Sequence, residues 1–333
     1  MILPRGSPRQ GERSIDHAAT VIACAQRLGA TISCCGQTNN PVPLPIVEVE
    51  QEAEGIATLW VDVPLQLAQS FSPGQYYMCW NPYDAAGGLQ QAHLHSEKPY
   101  SVGDIRFSVG DAYLEPDTGG AESAQMGFTV KDLGRQSGQL IQMEVGDWLA
   151  IRGPYGNSFP NPQPDGRLVL VSGGIGSTPM YMAAWDARRR LGDRIQIEAV
   201  LGFRNQAESH FIERMQRVCD RVEITTDDGS LGQQGFPTSA LVQILSDTTT
   251  AESNPSTRVY TCGPEVMMAG VLSMAQEYGL EAWAAMERYL PCSMAVCGLC
   301  MIGDRLTCRD GPVMEGEWLL QQADFGNEQA HMY

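Results

Sequence analysis

The sequence predicts an antiparallel β-barrel, then a Rossmann-like α/β domain, then a small C-terminal module that is rich in cysteine. Three observations predict this order. Short runs with β character occupy residues 45–160, strands and helices alternate after Arg167, and four cysteines crowd into seventeen positions near the C-terminus. We place the boundaries of the three units at 43–160, 161–284 and 285–333, after an N-terminal extension of residues 1–42.

The composition and charge argue against several classes of protein. Apolar residues make up 43% of the 333 residues and charged residues 18%, which suits packed cores and is too little charge for a disordered chain. The formal net charge is -17 and the only lysines are Lys98 and Lys131, so the chain lacks the basic surface that nucleic acids require. No apolar run approaches the ~20 residues that cross a bilayer, and we expect no direct membrane insertion.

Short strands bounded by turn residues predict the barrel. Residues with high β propensity form the runs 46–49, 57–63, 75–80, 127–130 and 148–151, as in an antiparallel barrel or sandwich. After Arg167, buried-type strands at 168–171, 195–201, 221–225 and 258–261 alternate with helical patterns at 178–190 and 208–218. That alternation predicts a mostly parallel sheet with helices on both faces.

The clustered cysteines have the spacing Cys292-x4-Cys297-x2-Cys300-x7-Cys308. The first three match plant-type [2Fe-2S] ferredoxins, in which three thiolates on one tight loop hold one side of the cluster and a fourth closes it. A structural zinc site or simply buried cysteines are the alternatives, but zinc sites usually pair two short cysteine motifs across a longer gap. The local clustering of thiols also indicates a reducing compartment, and we expect the cytoplasm.

A glycine-rich turn follows the first strand of the predicted α/β domain. Gly173, Gly174 and Gly176 leave backbone N–H groups free to approach a pyrophosphate, and the N-terminus of the next helix adds partial positive charge. Close packing between strand and helix is the alternative explanation, because many α/β crossovers contain such a turn.

Two further segments lie at the carboxyl ends of predicted strands, where open α/β sheets bind their ligands. Cys262-Gly263-Pro264 ends the last predicted parallel strand; a small buried thiol before a helix is the alternative. Asp227 and Asp228 follow the third strand, where they would meet the ribose or adenine of a dinucleotide or else form a turn. Two carboxylates would repel a 2'-phosphate, which favours NADH over NADPH.

Electron counting predicts a third cofactor. A reduced nicotinamide gives up two electrons as a hydride, whereas a [2Fe-2S] cluster accepts one electron. A flavin accepts two electrons and releases them singly. We therefore expect a flavin site in the first domain.

Six features occur in the order that they have in one superfamily. They are Lys98-Pro99-Tyr100-Ser101, the segment 134–137, Gly153-Pro154-Tyr155-Gly156-Asn157, the turn at Gly173, Cys262-Gly263-Pro264, and the cysteine module with its flanks 287–292 and 310–313. In these features the chain closely resembles the ferredoxin-NADP reductase superfamily and, within it, the electron transfer subunits of NAD-dependent dihydroorotate dehydrogenase. The resemblance covers residues 45–318.

The resemblance implies that the segment Lys98-Pro99-Tyr100-Ser101 binds the flavin. Tyr100 and Ser101 would line the flavin ring, with the Ser101 hydroxyl group close to the reactive ring nitrogen. Lys98 would hold a flavin phosphate, where the family usually has arginine. Lysine offers a point charge there instead of a bidentate contact.

The resemblance implies further contacts beyond that segment. Gly134 and Ser137 would donate hydrogen bonds to the pyrophosphate of FAD. Gln136 stands where the family commonly has a second glycine, which keeps FMN as the alternative to FAD. Ser101 and Cys262 would lie near the contact between flavin and nicotinamide. Hydride transfer itself needs no acid or base, so we expect binding residues and metal ligands rather than catalytic groups.

The function implied by the resemblance is electron transfer between NAD(H), FAD and a [2Fe-2S] cluster. The partner would be a flavin-containing dihydroorotate dehydrogenase catalytic subunit of pyrimidine biosynthesis, in a hetero-oligomer that is a heterotetramer in the family. The enzyme alternatives are a reductase subunit of a hydrogenase, of a sulfur-reducing enzyme or of an NADH-ferredoxin-NADP transhydrogenase complex. The alternative from another class is a zinc-containing assembly module.

Overall fold

The first part of the chain folds into one curled antiparallel sheet. The structure is a computed structural model that describes residues 38–82, 98–109, 112–114, 123–246 and 256–326. Two short helices of this part are α1 (Leu65–Ser70) and α2 (Arg135–Ile141). Its strands are β1 (Thr38–Ala53), β2 (Ile56–Val63), β3 (Tyr76–Trp80), β4 (Lys98–Val109), β5 (Ala112–Leu114), β6 (Ser123–Lys131) and β7 (Trp148–Tyr155).

The strand order of this sheet is β3-β7-β1-β2-β6-β4-β5, and β4 also pairs with β3. In that pairing Tyr76 lies opposite Ser101 and Cys79 lies opposite Lys98, so the sheet closes on itself. Alternate side chains fill the interior, among them Leu44, Leu59, Tyr77, Phe128 and Leu149. The predicted antiparallel architecture is confirmed. Strand β1 begins at Thr38, inside the predicted extension, of which residues 1–37 lie outside the described residues.

The second part of the chain is an α/β domain. Its helices are α3 (Ser177–Leu191), α4 (Ile212–Val218), α5 (Pro237–Ser246) and α6 (Glu265–Glu277), with 3-10 turns at Gly174–Gly176, Gly192–Arg194 and Gln206–Glu208. Its parallel strands are β8 (Gly166–Gly173), β9 (Ile195–Phe203), β10 (Arg221–Thr226), β11 (Gln233–Gln234), β12 (Thr257–Cys262) and β13 (Glu281–Ala285). None of the helices within the described ranges has the length and hydrophobicity of a bilayer span.

The spatial order β11-β10-β9-β8-β12-β13 confirms the predicted parallel sheet. The prediction missed β11, β13 and α5. We expected β12 to be the last parallel strand, but β13 follows it. Strand β13 has the sequence Glu-Ala-Trp-Ala-Ala, and alanine and glutamate are poor strand formers. Its conformation is explained by pairing with β12, because a buried strand partner overrides weak local propensity.

Both faces of the parallel sheet are covered, because alternate residues of each strand point to opposite sides. Leu168 and Leu170 of β8 belong to the core that includes α3 and extends into the barrel. Val169 and Val171 of the same strand pack in a second core with Leu241 of α5. The continuous apolar run 168–171 is therefore buried on two sides.

The cysteine-rich C-terminal segment packs beside both domains. Its elements are β14 (Met301–Ile302), β15 (Arg305–Leu306), α7 (Thr307–Asp310), β16 (Val313–Glu315) and α8 (Gly316–Leu319). Strand β16 pairs antiparallel with β13 and so extends the parallel sheet. On the other side, Leu290, Cys300 and Cys308 pack against Tyr76 and Trp80 on the outer face of β3. The segment therefore joins the barrel to the α/β domain.

Candidate functional site

A cavity of about 490 Å³ lies where the barrel, the α/β domain and the C-terminal segment meet. Its volume falls in the range of about 300–1,000 Å³ that is typical of sites for small molecules and cofactors. The barrel contributes Gly74, Tyr76, Pro99, Tyr100, Thr129, Lys131 and the segment 133–137. The other two parts contribute Ile175, Thr178, Pro179, Cys262, the segment 285–290 and Pro312.

The barrel wall of the cavity contains part of the predicted flavin segment. Pro99 and Tyr100 line it, and burial raises the pKa of the Tyr100 phenol far above its ordinary value, so this group stays neutral. Lys98 and Ser101 belong to the same strand, opposite Cys79 and Tyr76. Their side chains lie outside what the structure describes, and their proposed contacts remain predictions.

Three basic side chains line the cavity, and none of them was predicted to belong to the site. Lys131 at the end of β6 is paired with Glu208 of the α/β domain, Nζ to Oε2, at 2.7 Å. The hydrogen bond from Lys131 lowers the pKa of Glu208. Arg135 and Arg288 also line the wall, and Arg288 is held by Glu265. This positive charge suits a ligand that carries phosphate groups.

Gly134 and Ser137 lie on the cavity wall, at the start of α2, and their contact with a pyrophosphate remains a prediction. The Ser137 hydroxyl group is already engaged within this turn. It accepts a hydrogen bond from Leu133 N at 2.8 Å and donates one to Gly134 O at 3.2 Å. Donation to a ligand by Ser137 would therefore require its hydroxyl hydrogen to rotate away from Gly134.

The glycine turn has two different functions at its three glycines. A Cβ atom on Gly176 would lie 2.2 Å from the Cys262 carbonyl oxygen, and one on Gly173 would lie 2.8 Å from Pro264 Cδ. These two glycines permit the close packing of the glycine turn against the segment 262–264 at the end of β12. Gly174 has φ +54, and no described atom lies within 4 Å of a Cβ placed there. Gly174 is therefore the glycine of this turn that is open to a ligand.

The segment Cys262-Gly263-Pro264, which follows β12, reaches the cavity through Cys262. This thiol is buried and donates to Glu287 Oε1 at 3.6 Å. Burial, with a smaller contribution from Glu287, raises the pKa of Cys262 well above its ordinary value. Loss of contact with bulk water raises the pKa of the Glu287 carboxyl group, and the hydrogen bond from the Cys262 thiol acts in the opposite direction. Gly263, at φ +149, lies too close to Gly173 to carry a side chain, and Pro264 leads into α6.

A buried histidine orients the first residue of α3. His210 Nδ1 lies 2.9 Å from Glu208 O, and because a carbonyl oxygen only accepts, Nδ1 carries the proton. Burial lowers the pKa of His210 to about 4, so the ring is neutral at physiological pH. Nε2 then accepts a hydrogen bond from Ser177 Oγ at 2.9 Å. No local sequence pattern predicts this contact between His210, which lies before α4, and Ser177, which follows the glycine turn.

Asp228 forms a local turn and is not among the residues that line the cavity. Its carboxylate accepts hydrogen bonds from Ser230 N at 2.9 Å and from Ser230 Oγ at 2.6 Å. These hydrogen bonds lower the pKa of Asp228. The turn that we considered as the alternative is present, and contact with a ribose remains a prediction.

The cysteine loop turns sharply between its first three cysteines. Ser293 and Ala295 have φ values of 52 and 59, and Gly298 has φ +73. Left-handed backbone at two residues other than glycine is uncommon and is found where a loop has a functional constraint. Cys292, Cys300 and Cys308 are buried, whereas Cys297 is exposed. The loop therefore has an inner side toward the barrel and an outer side toward solvent.

The sulfur atoms of the loop form two neighbouring pairs. Burial acts to raise the pKa of Cys292, but N–H groups of Met294, Cys297 and Val296 outweigh it and lower the pKa to about 7. The Cys297 side chain adds to this lowering, and the Cys300 side chain raises the pKa of Cys308, so each of these two pairs of side chains is adjacent. Across the described ranges, no three or more His, Cys, Asp or Glu side chains converge as ligands of a single metal ion.

Two of the sequence features that were far apart in the chain bind each other directly. Asn157 N donates to Gly311 O at 2.8 Å, and Asn157 Nδ2 donates to Val313 O at 2.8 Å. Val313 N donates back to Asn157 Oδ1 at 2.9 Å. A Cβ on Gly156 would lie 2.3 Å from Pro312 Cδ. The segment 153–157 therefore fastens the cysteine module to the barrel.

The cavity brings Tyr100, Gly134, Ser137 and Cys262 together from three separate segments, and the glycine turn adds Ile175. Lys131 was noticed in the sequence only as one of two lysines. Glu287 and Arg288 were noticed only as part of the segment before the first clustered cysteine. No local pattern marks these three side chains as neighbours of a site.

Several known proteins are similar to this chain in sequence or in fold. The family described as "Oxidoreductase NAD-binding domain" matches residues 170–273. The relative "Probable dihydroorotate dehydrogenase B (NAD(+)), electron transfer subunit" from Methanocaldococcus jannaschii is 32% identical over 289 residues. That match covers 86% of this chain and 94% of the relative.

Two solved structures are similar in fold. One, of an NADH-dependent reduced ferredoxin-NADP oxidoreductase, has a TM-score of 0.63 at 24% identity and covers 82% of this chain and 88% of its own. The other, a ferredoxin NADP+ reductase from Neisseria gonorrhoeae with bound FAD and NADP, has a TM-score of 0.53 at 18% identity. It covers 75% of this chain and 95% of its own.

Proposed function

Because the chain belongs to the family of electron transfer subunits of NAD-dependent dihydroorotate dehydrogenase, we propose that it carries electrons between NAD(H), FAD and a [2Fe-2S] cluster. One observation carries this assignment of cofactors. A single cavity is walled by Tyr100 of the barrel, by the turn that contains Ile175, and by the segment 285–290 that leads to Cys292. Three cofactors that exchange electrons must lie close together, and this junction is where the three segments meet.

The flavin is assigned to the barrel side of the cavity. A bound flavin supplies the capacity to accept a hydride and to pass its electrons on singly. Tyr76 and Tyr100 offer aromatic walls, and Lys131, Arg135 and Arg288 offer positive charge to its phosphate groups. The donor set therefore fits a flavin. Lys98, Ser101, Gly134 and Ser137 are assigned to FAD by the family resemblance.

The nicotinamide nucleotide is assigned to the side of the α/β domain. Gly174 borders open space at the start of α3, where backbone N–H groups and the helix dipole favour a pyrophosphate. His210 and Ser177 hold the first turn of that helix in place. Cys262 donates to Glu287 at the wall, so Glu287 Oε1 is held in one position where a nicotinamide would meet the flavin. Asp228 is assigned to the ribose by its place after β10.

The [2Fe-2S] cluster is assigned to Cys292, Cys297, Cys300 and Cys308. Such a cluster supplies transfer of one electron at a time. It needs two thiolates for each of two irons, and the four clustered cysteines supply that number. A zinc ion would instead need four ligands around one point. The N–H groups directed at Cys292 favour the thiolate form that a metal binds.

The partner is assigned to the outer side of the cysteine loop. Cys297 is exposed there, and the neighbouring apolar side chains are exposed as well: Tyr289, Met294, Val296, Leu299 and Met301. Electrons that reach the cluster must leave it, so a partner has to dock close to these cysteines. We assign this surface to the dihydroorotate dehydrogenase catalytic subunit. The cysteines of the described residues are all free thiols, which supports a reducing compartment such as the cytoplasm.

The cofactor assignment is tested on protein purified without oxygen. Iron, sulfide and zinc are measured, and the flavin is extracted to distinguish FAD from FMN. Addition of NADH is expected to bleach the flavin absorbance and then to produce the EPR signal of a reduced cluster. Cys300→Ser should remove the cluster signal and leave flavin reduction largely intact. Zinc in place of iron, or protein without flavin, would overturn the proposal.

The partner assignment is tested by two matched substitutions. Val296 is 78% exposed beside Cys297, and Val145 is 64% exposed on the barrel, outside the cysteine segment. Val296→Glu should weaken binding to the catalytic subunit in a pull-down and slow NAD-dependent oxidation of dihydroorotate by the mixture. Val145→Glu is the control and should change neither. Equal effects of both changes would place the docking surface elsewhere.

A further inference from the structure

Tyr76 lies between the flavin side of the cavity and the cluster cysteines. Its side chain lines the cavity. The same side chain is buried in one packed group with Cys300, Cys308 and Leu290. It is therefore a residue of the barrel that borders both of the sites to which redox cofactors have been assigned.

The hydroxyl group of Tyr76 is buried and has no hydrogen-bond partner among the described residues. The Ser293 hydroxyl group lies beside it, but the single proton of Ser293 Oγ is donated to Met78 Sδ at 3.0 Å. A buried hydroxyl group without an acceptor destabilises the folded state. Such a group indicates an acceptor that the protein chain does not itself supply.

The side chains packed around Tyr76 include two of the clustered cysteines, together with the Tyr155 ring at a centroid distance of 5.9 Å. Tyr76 lies in one buried group with Cys300 and Cys308. A tyrosine hydroxyl group carries a proton at neutral pH and can donate it to a nearby sulfur atom. Cys308 and Cys300 are the cysteines that form the second sulfur pair.

We propose that Tyr76 donates a hydrogen bond from Oη to a sulfur atom on the Cys300–Cys308 side of the cluster and thereby raises the reduction potential of the cluster. This inference rests on the proposed function, because it presumes the [2Fe-2S] cluster. Reduction adds negative charge to the sulfur atoms, and a donor directed at them stabilises the reduced form. Tyr76 is thus a positioning and tuning residue, and it favours flow of electrons toward the cluster.

Tyr76→Phe removes this donor and keeps the ring. Tyr77→Phe is a matched control, because the Tyr77 hydroxyl group is also buried without a partner among the described residues, but its side chain faces the barrel interior. Redox titrations followed by EPR and absorbance give the midpoint potentials of cluster and flavin separately. Tyr76→Phe should lower the cluster potential and leave the flavin potential unchanged, and Tyr77→Phe should change neither.

A second measurement addresses the hydrogen bond itself. Electron–nuclear double resonance of the reduced cluster in H2O and D2O should show one fewer strongly coupled exchangeable proton in Tyr76→Phe than in the wild type. An unchanged cluster potential in protein that contains iron would overturn this inference alone. A shift of the flavin potential without a shift of the cluster potential would also overturn it. Protein without iron would overturn the proposed function together with it.

Discussion

Protonation of Asp104 should stabilise the folded chain, whereas ordinary acid denaturation destabilises it. Asp104 lies on β4, and its side chain is 15% exposed at the contact between the barrel and the α/β domain. Burial raises its pKa to about 6, although Arg214, 3.8 Å from Oδ2, lowers it. The Tyr181 hydroxyl group donates to Oδ1 at 3.5 Å.

Other charged groups around Asp104 limit the effect. Glu50 and Glu52 of β1 share Arg214 with it, at 2.7 Å and 3.1 Å, and Arg106 lies on the same strand. The carboxylates raise the pKa of Asp104 or compete for Arg214, and Arg106 lowers that pKa. The rise from 3.8 to about 6 corresponds to about 3 kcal/mol, at about 1.4 kcal/mol for each pKa unit.

The folded pKa is above the unfolded one, so the folded chain binds the proton first as the pH falls. The cost of the buried charge is present above about pH 6 and is relieved between about pH 6 and pH 4. Asp104→Asn has no charge to relieve. The free energy of unfolding of the wild type, minus that of the variant, should therefore increase by up to about 3 kcal/mol as the pH is lowered across that window.

Urea unfolding of both proteins at several pH values measures this difference. Asp62→Asn is the control, since Asp62 lies on β2, which is separated from β4 by β6 in the same sheet, and it accepts a hydrogen bond from Gln125 at 2.8 Å. The effects on acid denaturation of carboxylates that do not interact with Asp104 or Arg214 cancel in the subtraction. A difference that stays constant, or that decreases toward low pH, would refute the account of Asp104 as a carboxylate whose charge is disfavoured by burial.

Gly176→Ala should destabilise the fold by about 1–3 kcal/mol in urea unfolding, because the added Cβ meets the Cys262 backbone oxygen at 2.2 Å. Unchanged stability would show that the glycine turn can move away from Cys262 freely. Asn157→Ala removes two side-chain hydrogen bonds to Val313, worth about 2 kcal/mol together, and should release iron to a chelator at lower urea. Iron release at the same urea concentration from the variant and from the wild type would mean that this contact does not hold the cysteine module. His210 has a pKa of about 4, below its ordinary 6.5, so the unfolded chain binds a proton first. The wild type should therefore lose stability relative to His210→Asn between about pH 6.5 and pH 4, and a constant difference would contradict the burial of a neutral imidazole.

Local patterns were sufficient to predict most of the architecture. The apolar run 168–171 and the helical pattern 178–190 follow from side-chain periodicity, which depends only on neighbours in the chain. Strand β13 was missed for the same reason, because its five residues have weak strand propensity of their own. The break at Phe211, which has φ 63 and shortens the predicted helix 208–218 to α4, likewise has no local signal.

The site could be predicted only in part. Cys262, Tyr100 and the segment 134–137 were expected to be binding residues and do share one cavity. Lys131 and Glu287 were not expected there, and nothing in their immediate sequence distinguishes them from surface charges. Their place depends on the closure of the barrel and on the extra strand β13, which carries the chain from the parallel sheet toward the cysteines.

By itself, the sequence determined the order of the three units and the set of four clustered cysteines, because periodicity and ligand spacing are properties of the covalent chain. Only the tertiary structure decided which glycine of the turn is open to a ligand and that Asn157 binds the segment at Val313. It also decided that Tyr76 borders both the cavity and the cysteines. These relations join residues that are distant in the chain, and they arise when apolar surfaces from separate segments are buried against one another.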